Sequence, residues 1–420
     1  MSKQLNFIDL FAGAGGLSEG FIRAGFKPIV HVEIDKAACY TLKTRIAYHH
    51  LKETKQYDKY IAYLKNKITR EELYACVPKD KLESVINLPI GAEYNQKIHS
   101  SIDALRKGEK IDLIIGGPPC QAYSLVGRAR SANGMNGDPR NYLYVQYARY
   151  LEKYEPRMFV FENVIGLKSA KGGLYLDNMK KLFRKKGYEM QLYTVEANNF
   201  GVLQNRRRVI IIGWRTDHKP KLPDLEGIRL QSKEFTVSDI LNDLPALMAG
   251  SGKDKDGTYK KESNTYLNKT AIRNGIEVLT QHVARPHTEQ DKTIYKIAVE
   301  KWNQQQERLD YNDLPEKLKT HKNRHSFFDR FKVVAKNLPY SQTVVAHIAK
   351  DGHYYIHPDI KQNRSLSVRE AARLQSFPDD YYFEGVKENA NRTAAFKQIG
   401  NAVPPLMAEI MAKYLIDSLK

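Results

Sequence analysis

The sequence predicts an α/β protein: a doubly wound, mostly parallel sheet with a second, smaller irregular domain. Three observations carry that expectation. Short apolar runs, LNFIDLF, PIVHVEID, IDLIIGG and RMFVFEN, lead into Gly, Asp, Glu or Asn, as buried parallel strands do where they emerge at a sheet edge. Between them lie stretches with apolar residues at helical spacing, and such alternation builds a sheet whose functional loops follow the strands' C-terminal ends. Past Trp214 the pattern stops, and residues from about 220 to 365 are polar and rich in Asn, Gln, His and Lys, offering turns more than regular elements.

Taken in order, LNFIDLF is a buried strand, AGAGG a turn, and LSEGFIRAGF a helix with Leu17, Phe21 and Ile22 on one face, closed by Gly25. Gly13, Gly15 and Gly16 let a ligand approach the backbone, and the amides at the helix start favour a polar or negative group. By itself this loop also suits a plain tight turn or a nicotinamide dinucleotide site. PIVHVEID is a second strand ending in Glu33 and Asp35, where nucleotide-binding folds place a carboxylate for ribose hydroxyls; Glu33 is the candidate. Residues 41–98 mix Tyr, Leu and Ile with many charges, and read as an amphipathic helical insertion with a packing role.

IDLIIGGPPCQAYS then delivers Cys120 at a strand-to-loop junction, followed by VGRARSANGMNGDPRNY, a long loop of the kind that forms lids beside nucleophiles. LYVQYARYLEKY is a helix, and RMFVFEN a strand ending in Glu162 and Asn163. Two more strands flank Gln204 and the arginines 206–208. SLSVREAARLQSFP reads as an amphipathic helix closed by Pro378, and AAFKQIGNAVPPLMAEIMAKYLIDSL as a strand-end turn followed by a terminal helix.

The chain of 420 residues has a net charge of +19, which points to a polyanionic partner, nucleic acid first. The bias peaks after Cys120, where residues 121–215 hold 17 Lys/Arg against 7 Asp/Glu. Cys39, Cys76 and Cys120 are the only cysteines, an odd count without a secretory leader, so disulfides are not expected and a reducing interior is. No CxxC or HExxH spacing suggests a metal, and no apolar run approaches the roughly 18 residues of a membrane span.

A thiol, a strand-end carboxylate and paired arginines together suit attack on a weakly electrophilic ring. Cys120 is nucleophilic only as thiolate, so it needs cations and amides nearby. Glu162, held protonated by burial, could donate to a ring nitrogen. Arg206 and Arg208, alternating on one strand face, could bind a carbonyl and phosphates.

Over nearly its whole length the sequence resembles the bacterial-type DNA (cytosine-5)-methyltransferases. FAGAGG with VEID, GGPPCQAYS, FENV, QNRRR, REAARLQSFPD and QIGNAVPP resemble the family's motifs and follow its order. The resemblance implies an S-adenosylmethionine-dependent methyltransferase fold, with a catalytic domain at 1–222 and 390–420 and a target-recognition domain at 223–389. It implies that Cys120 attacks C6 of cytosine, Glu162 protonates or hydrogen-bonds N3, Arg208 supports the base, and Arg206 serves the nucleophile loop and DNA backbone. Phe11, Gly13, Gly15, Gly16, Glu33, Ile34, Pro118, Asn401 and Val403 would line the S-adenosylmethionine pocket. One motif departs: where the family carries an Asp for the adenine amino group, this chain reads KIHSSIDAL, with Ser100 or Asp103 as possible substitutes.

A paired, stacked cytosine cannot be reached from both faces, so the base must be flipped out. Gln121, Ser124, Arg128, Arg130, Arg140 and Gln204 are then candidate DNA contacts. In the recognition region, Asn323, Arg324, His325 and Gln342 are candidates for base edges and Thr343 for backbone positioning. The resemblance further implies duplex DNA as partner, S-adenosylhomocysteine as product, no metal, an accompanying restriction endonuclease, and a monomer in the bacterial cytoplasm. Three alternatives are weaker. A tRNA cytosine methyltransferase predicts a smaller recognition region, an inactive DNA-binding relative conflicts with intact Cys120, Glu162, Arg206 and Arg208, and a nicotinamide oxidoreductase leaves PPC and ENV idle.

Overall fold

The computed structural model describes residues 4–119, 142–230, 234–322, 324–325, 327–388 and 392–419. Seven strands form one sheet: β1 (Asn6–Leu10), β2 (Lys27–Glu33), β3 (Val85–Asn87), β4 (Leu113–Gly116), β5 (Met158–Asn163), β6 (Tyr188–Glu196) and β7 (Arg207–Arg215), in the order β3-β2-β1-β4-β5-β7-β6. The first five are parallel, and β7 runs antiparallel to both β5 and β6. All five parallel strands therefore end at one edge, the edge a doubly wound sheet uses for its ligands.

The helices of the first half are α1 (Gly16–Arg23), α2 (Lys36–Glu53), α3 (Tyr57–Leu64), α4 (Arg70–Ala75), α5 (Lys79–Glu83), α6 (Asn95–Arg106), α7 (Leu143–Tyr154) and α8 (Leu174–Lys185). Those of the second are α9 (Thr265–Lys269), α10 (Glu289–Gln305), α11 (Val368–Leu374), α12 (Arg392–Asn401) and α13 (Pro405–Leu419). Every residue of β1 is buried, because helices cover both faces of the sheet. Leu17 and Phe21 of α1 and Met407, Met411 and Leu415 of α13 pack on one face. Ile98, Ile102, Tyr147, Leu151, Met179 and Phe183, from α6, α7 and α8, fill the other. A further core joins Ala14 and Leu203 to Val344, Leu374, Phe377 and Ile399, so the region after β7 is packed onto the sheet end.

The structure corrects four expectations. Residues 41–98 are not one insertion: α2 starts earlier, capped by the Asp35 carboxylate on the amides of Ala37 and Ala38, and β3 adds an edge strand. The extra material is α3, α4 and α5, and three-residue β3 was hidden by its charged surroundings. The region after Trp214 is less irregular than its composition suggests, since α10 is a 17-residue helix opened by a Thr288–Asp291 capping box, burying Ile294, Tyr295, Ala298 and Val299. Helix α11 is not amphipathic: all seven residues are buried, because Arg369, Glu370 and Arg373 find internal partners. Finally, AAFKQIGN is helical, forming most of α12 rather than a strand end.

Candidate active site

The glycine loop after β1 and the end of β2 form one cradle. Phe11 takes a positive φ of 59° and Gly13 one of 55°, which turns the chain so that the Gly13 amide donates to Glu33 Oε2 at 2.7 Å. Glu33 Oε1 accepts from the Asp35 amide, also at 2.7 Å. Burial pushes the Glu33 carboxyl above its ordinary range, while these amides work against that. A Cβ on Gly13 would meet nothing within 4 Å, so its hydrogen faces open space; one on Gly16 would lie 2.3 Å from the Val403 carbonyl oxygen. Gly13 thus leaves room for a ligand, whereas Gly16 lets the chain around Val403 close against the loop. Ile34, at the end of β2, is 64% exposed, an apolar side chain left uncovered beside the cradle.

One residue of the cradle carries no functional mark in the sequence. Asn87 ends β3 opposite Glu33, and its amide donates to the Glu33 and Ile34 carbonyls at 3.0 and 2.9 Å. The short run VIN was the available signal. Ser100 and Asp103, the substitutes suggested by sequence, sit on α6 and are engaged elsewhere. Ser100 donates to the Gln96 carbonyl, and Asp103 pairs with Arg106 and Lys153.

The end of β4, which leads toward Cys120 in sequence, lies two strands away from the β2 end. β4 stops at Gly116, and the Pro118 carbonyl accepts from Asn163 Nδ2 at 3.2 Å, tying the turn before Cys120 to the end of β5. Glu162 Oε1 pairs with Arg208 Nε at 2.9 Å, and each side chain keeps 13% exposure. A Cβ on Gly117 would stand 2.9 Å from Glu162 Oε2. The second glycine of GGPPC is therefore what allows the carboxylate to lie under that turn. Cys120, Gln121, Ser124, Arg128, Arg130, Arg140 and Asn323 lie outside the described residues.

Arg206 and Arg208 do not share a target. Arg206 precedes β7 and is 1% exposed, donating to the carbonyls of Val344, Gly400 and Ala402. A guanidinium so enclosed is no phosphate contact, which corrects that expectation; it joins the chain before β7 to the end of α12. Gln204 is likewise fully buried, bonded to the Leu374 carbonyl, Gln375 and the Val344 amide, and not to DNA-facing surface. Both residues were misread because sequence cannot say which side of a turn closes against another segment.

The remaining candidates are scattered as follows. Asn401 is exposed at the end of α12, with buried Val403 just after it. Thr343 donates to the Asn205 carbonyl, and Gln342 to that of Tyr354. Arg324 is exposed and paired with Glu316 at 2.8 Å, and His325 is exposed beside it.

The C-5 cytosine-specific DNA methylase family profile matches residues 5–78 and 90–417. A type II methyltransferase of Bacillus paralicheniformis, M.Bpa9945I, is 42% identical over 444 aligned positions, covering 98% of each chain. M.DdeI of Desulfomicrobium norvegicum is 30% identical, covering 97% of this chain and 88% of its own length. Among solved structures, a prophage-encoded protein of E. coli superposes with a TM-score of 0.63 at 24% identity over 99% of both chains, a likeness of fold. A profile spanning nearly the whole sequence, with these full-length relatives, means that the chain belongs to the C-5 cytosine-specific DNA methylase family and is a DNA (cytosine-5)-methyltransferase.

Proposed function

We propose that the protein transfers a methyl group from S-adenosylmethionine to C5 of a cytosine flipped out of a specific duplex DNA sequence. The observation that carries this reading is the Glu162–Arg208 pair beneath the turn leading to Cys120, at the same sheet edge as a cradle of open Gly13, buried Glu33 and uncovered Ile34. The cradle fits the cofactor's chemistry: an acidic side chain for ribose hydroxyls, an apolar one for adenine, and a glycine that leaves space. Asn87, at the neighbouring strand end, offers an amide edge for the adenine amino group. When bound, S-adenosylmethionine supplies an electrophilic methyl group.

The chain's own residues do the rest. The Cys120 thiolate adds to C6, forming an S–C bond and moving the ring electrons toward C5, while Glu162 hydrogen-bonds or protonates N3. Arg208 holds Glu162 in place and stands by the base. After C5 is methylated, its proton passes to solvent, the C5–C6 double bond re-forms, Cys120 leaves as thiolate, and N3 returns to Glu162 any proton it took. The catalytic domain would comprise 1–222 and 390–420, with residues 223–389 reading the sequence, and Arg324 and His325 remain accessible for that task. The type II names of the relatives favour a role in protecting host DNA from a cognate endonuclease.

Purified protein with labelled S-adenosylmethionine is expected to label cytosine C5 in duplex DNA. Cys120→Ser should lose transfer while retaining DNA binding, and DNA containing 5-fluorocytosine should leave a denaturation-resistant adduct. Methylation by the Ser variant at the normal rate would show the covalent route to be wrong.

A further inference from the structure

The helices α3, α4 and α5 have no part in that chemistry, yet polar side chains of α3 and α4 converge on one buried carboxylate. Glu384, 2% exposed, accepts from Tyr63 on α3 at 2.5 Å and from Thr44 on α2 at 2.7 Å, and faces Arg70 of α4 at 3.4 Å. Arg70 also donates to the carbonyls of Gly385 and Val386 at 2.8 and 3.2 Å, and its amide to Glu388. The guanidinium is stacked 3.8 Å from the centre of the Tyr40 ring on α2, so its direction is set.

The backbone of Glu384 extends this knot to α12. Its carbonyl accepts from Gln398 Nε2 at 2.8 Å and its amide donates to Thr41, whose hydroxyl in turn donates to Gln398 Oε1 at 2.6 Å. One residue before Gln398, Lys397 pairs with Asp35 at 2.9 Å, and the Asp35 amide is the one that holds Glu33. Three residues after Gln398 stands Asn401. Arg206 grips the Gly400 and Ala402 carbonyls from the core. The end of α12 is thus held on one side by Arg206 and on the other by Glu384.

Apolar packing alone already attaches the added helices, through Tyr60, Leu64 and Leu73 against Ile276, Val278 and Tyr382. The polar knot is extra to that. Buried ionic groups contribute less to stability than apolar replacements of similar volume, and their better-attested use is to select one geometry. We infer that Glu384, clamped by Arg70 and Tyr63 of the added helices, is a positioning residue that sets Asn401 and Val403 against the Glu33 cradle. This rests on reading those residues as the S-adenosylmethionine pocket.

The test uses the full chain and calorimetric binding of S-adenosylhomocysteine. Arg70→Met is expected to weaken binding about ten-fold, with kcat at saturating cofactor and KM for DNA both within about two-fold of the parent. Arg70→Lys should recover part of the loss, Tyr63→Phe should weaken binding about three-fold, and Arg184→Met, which breaks an exposed pair between α8 and Glu189 of β6, should change nothing. Unchanged binding in folded Arg70→Met overturns the inference. So does a loss of binding, kcat and melting temperature in step in both Arg70 variants, since that is general destabilisation. If Arg70→Met does not fold, Tyr63→Phe decides, a shift supporting the inference and no shift overturning it. A parent protein that fails to bind S-adenosylhomocysteine instead sinks the reading of the cradle, and the inference falls with it.

Discussion

At the scale of single residues, small spaces decide what the site can do. Gly117 is the sharpest case, because a methyl group there would stand 2.9 Å from Glu162 Oε2 and push the carboxylate out from beneath the Cys120 turn. Gly117→Ala is expected to lower single-turnover methyl transfer about 10- to 100-fold with the fold intact, the cost of displacing a reacting group by a fraction of an ångström. Transfer at the parent rate would mean that Glu162 does not work from this position. Cys120, Glu162 and the glycine loop were legible as candidates because each ends an apolar run. Arg206 and Gln204 were legible as notable residues but not as buried ones, since their partners, the Val344 and Leu374 carbonyls of the second half, are more than a hundred residues away.

At the scale of elements, α11 shows how a charged sequence becomes a core helix. Its N-terminus is closed by a Ser367–Glu370 capping box, and Arg364 pairs with Glu370 at 2.7 Å. Arg373 reaches Asp243 at 2.5 Å and Asp379 at 2.6 Å with no exposure of its own. Arg373→Met would leave buried Asp243 with Arg273 alone at 3.0 Å and buried Asp379 with Arg369 alone at 3.8 Å, and is expected to cost about 3 kcal/mol in urea unfolding. A loss below about 1 kcal/mol, the value of an exposed pair, would show that the site admits water. Periodicity located α1, α7 and α13 from sequence because each has one apolar face. It misjudged α11 because burial there follows charge pairing with residues outside the helix, Arg364, Asp379 and the distant Asp243, which leaves no periodic trace. The strand β3 escaped for a related reason: at three residues it is too short for any period to register.

At the scale of the whole molecule, buried histidines tie stability to pH. Burial pushes His31 and His357 down from 6.5 to about 4, the latter in spite of Glu370 at 3.5 Å. The unfolded chain binds these protons near 6.5 and the folded one only near 4, so unfolding takes up protons between those values. Stability is therefore full above that interval and falls as pH drops through it, by about 2 kcal/mol for each histidine between pH 7 and pH 5. Urea midpoints measured across this range should fall accordingly, and His357→Gln should reduce the slope. A flat profile would contradict the burial of both rings. Among the described residues no helix is long and apolar enough to cross a membrane.

The sequence by itself determined the order of the strands' chemistry: glycine loop, acidic strand end, thiol turn, Glu strand and arginine strand, each marked by a local change from apolar to functional residues. It determined the family for the same reason, since those marks are contiguous. Only the tertiary structure decided which of the marked residues face a ligand and which close the molecule. Gly13 borders open space while Gly16 meets the Val403 carbonyl, and Arg208 reaches Glu162 while Arg206 is enclosed by Val344, Gly400 and Ala402. Neighbours in sequence took opposite roles because burial depends on which distant segment packs against each, and that contact is made only when the sheet and the second half of the chain come together.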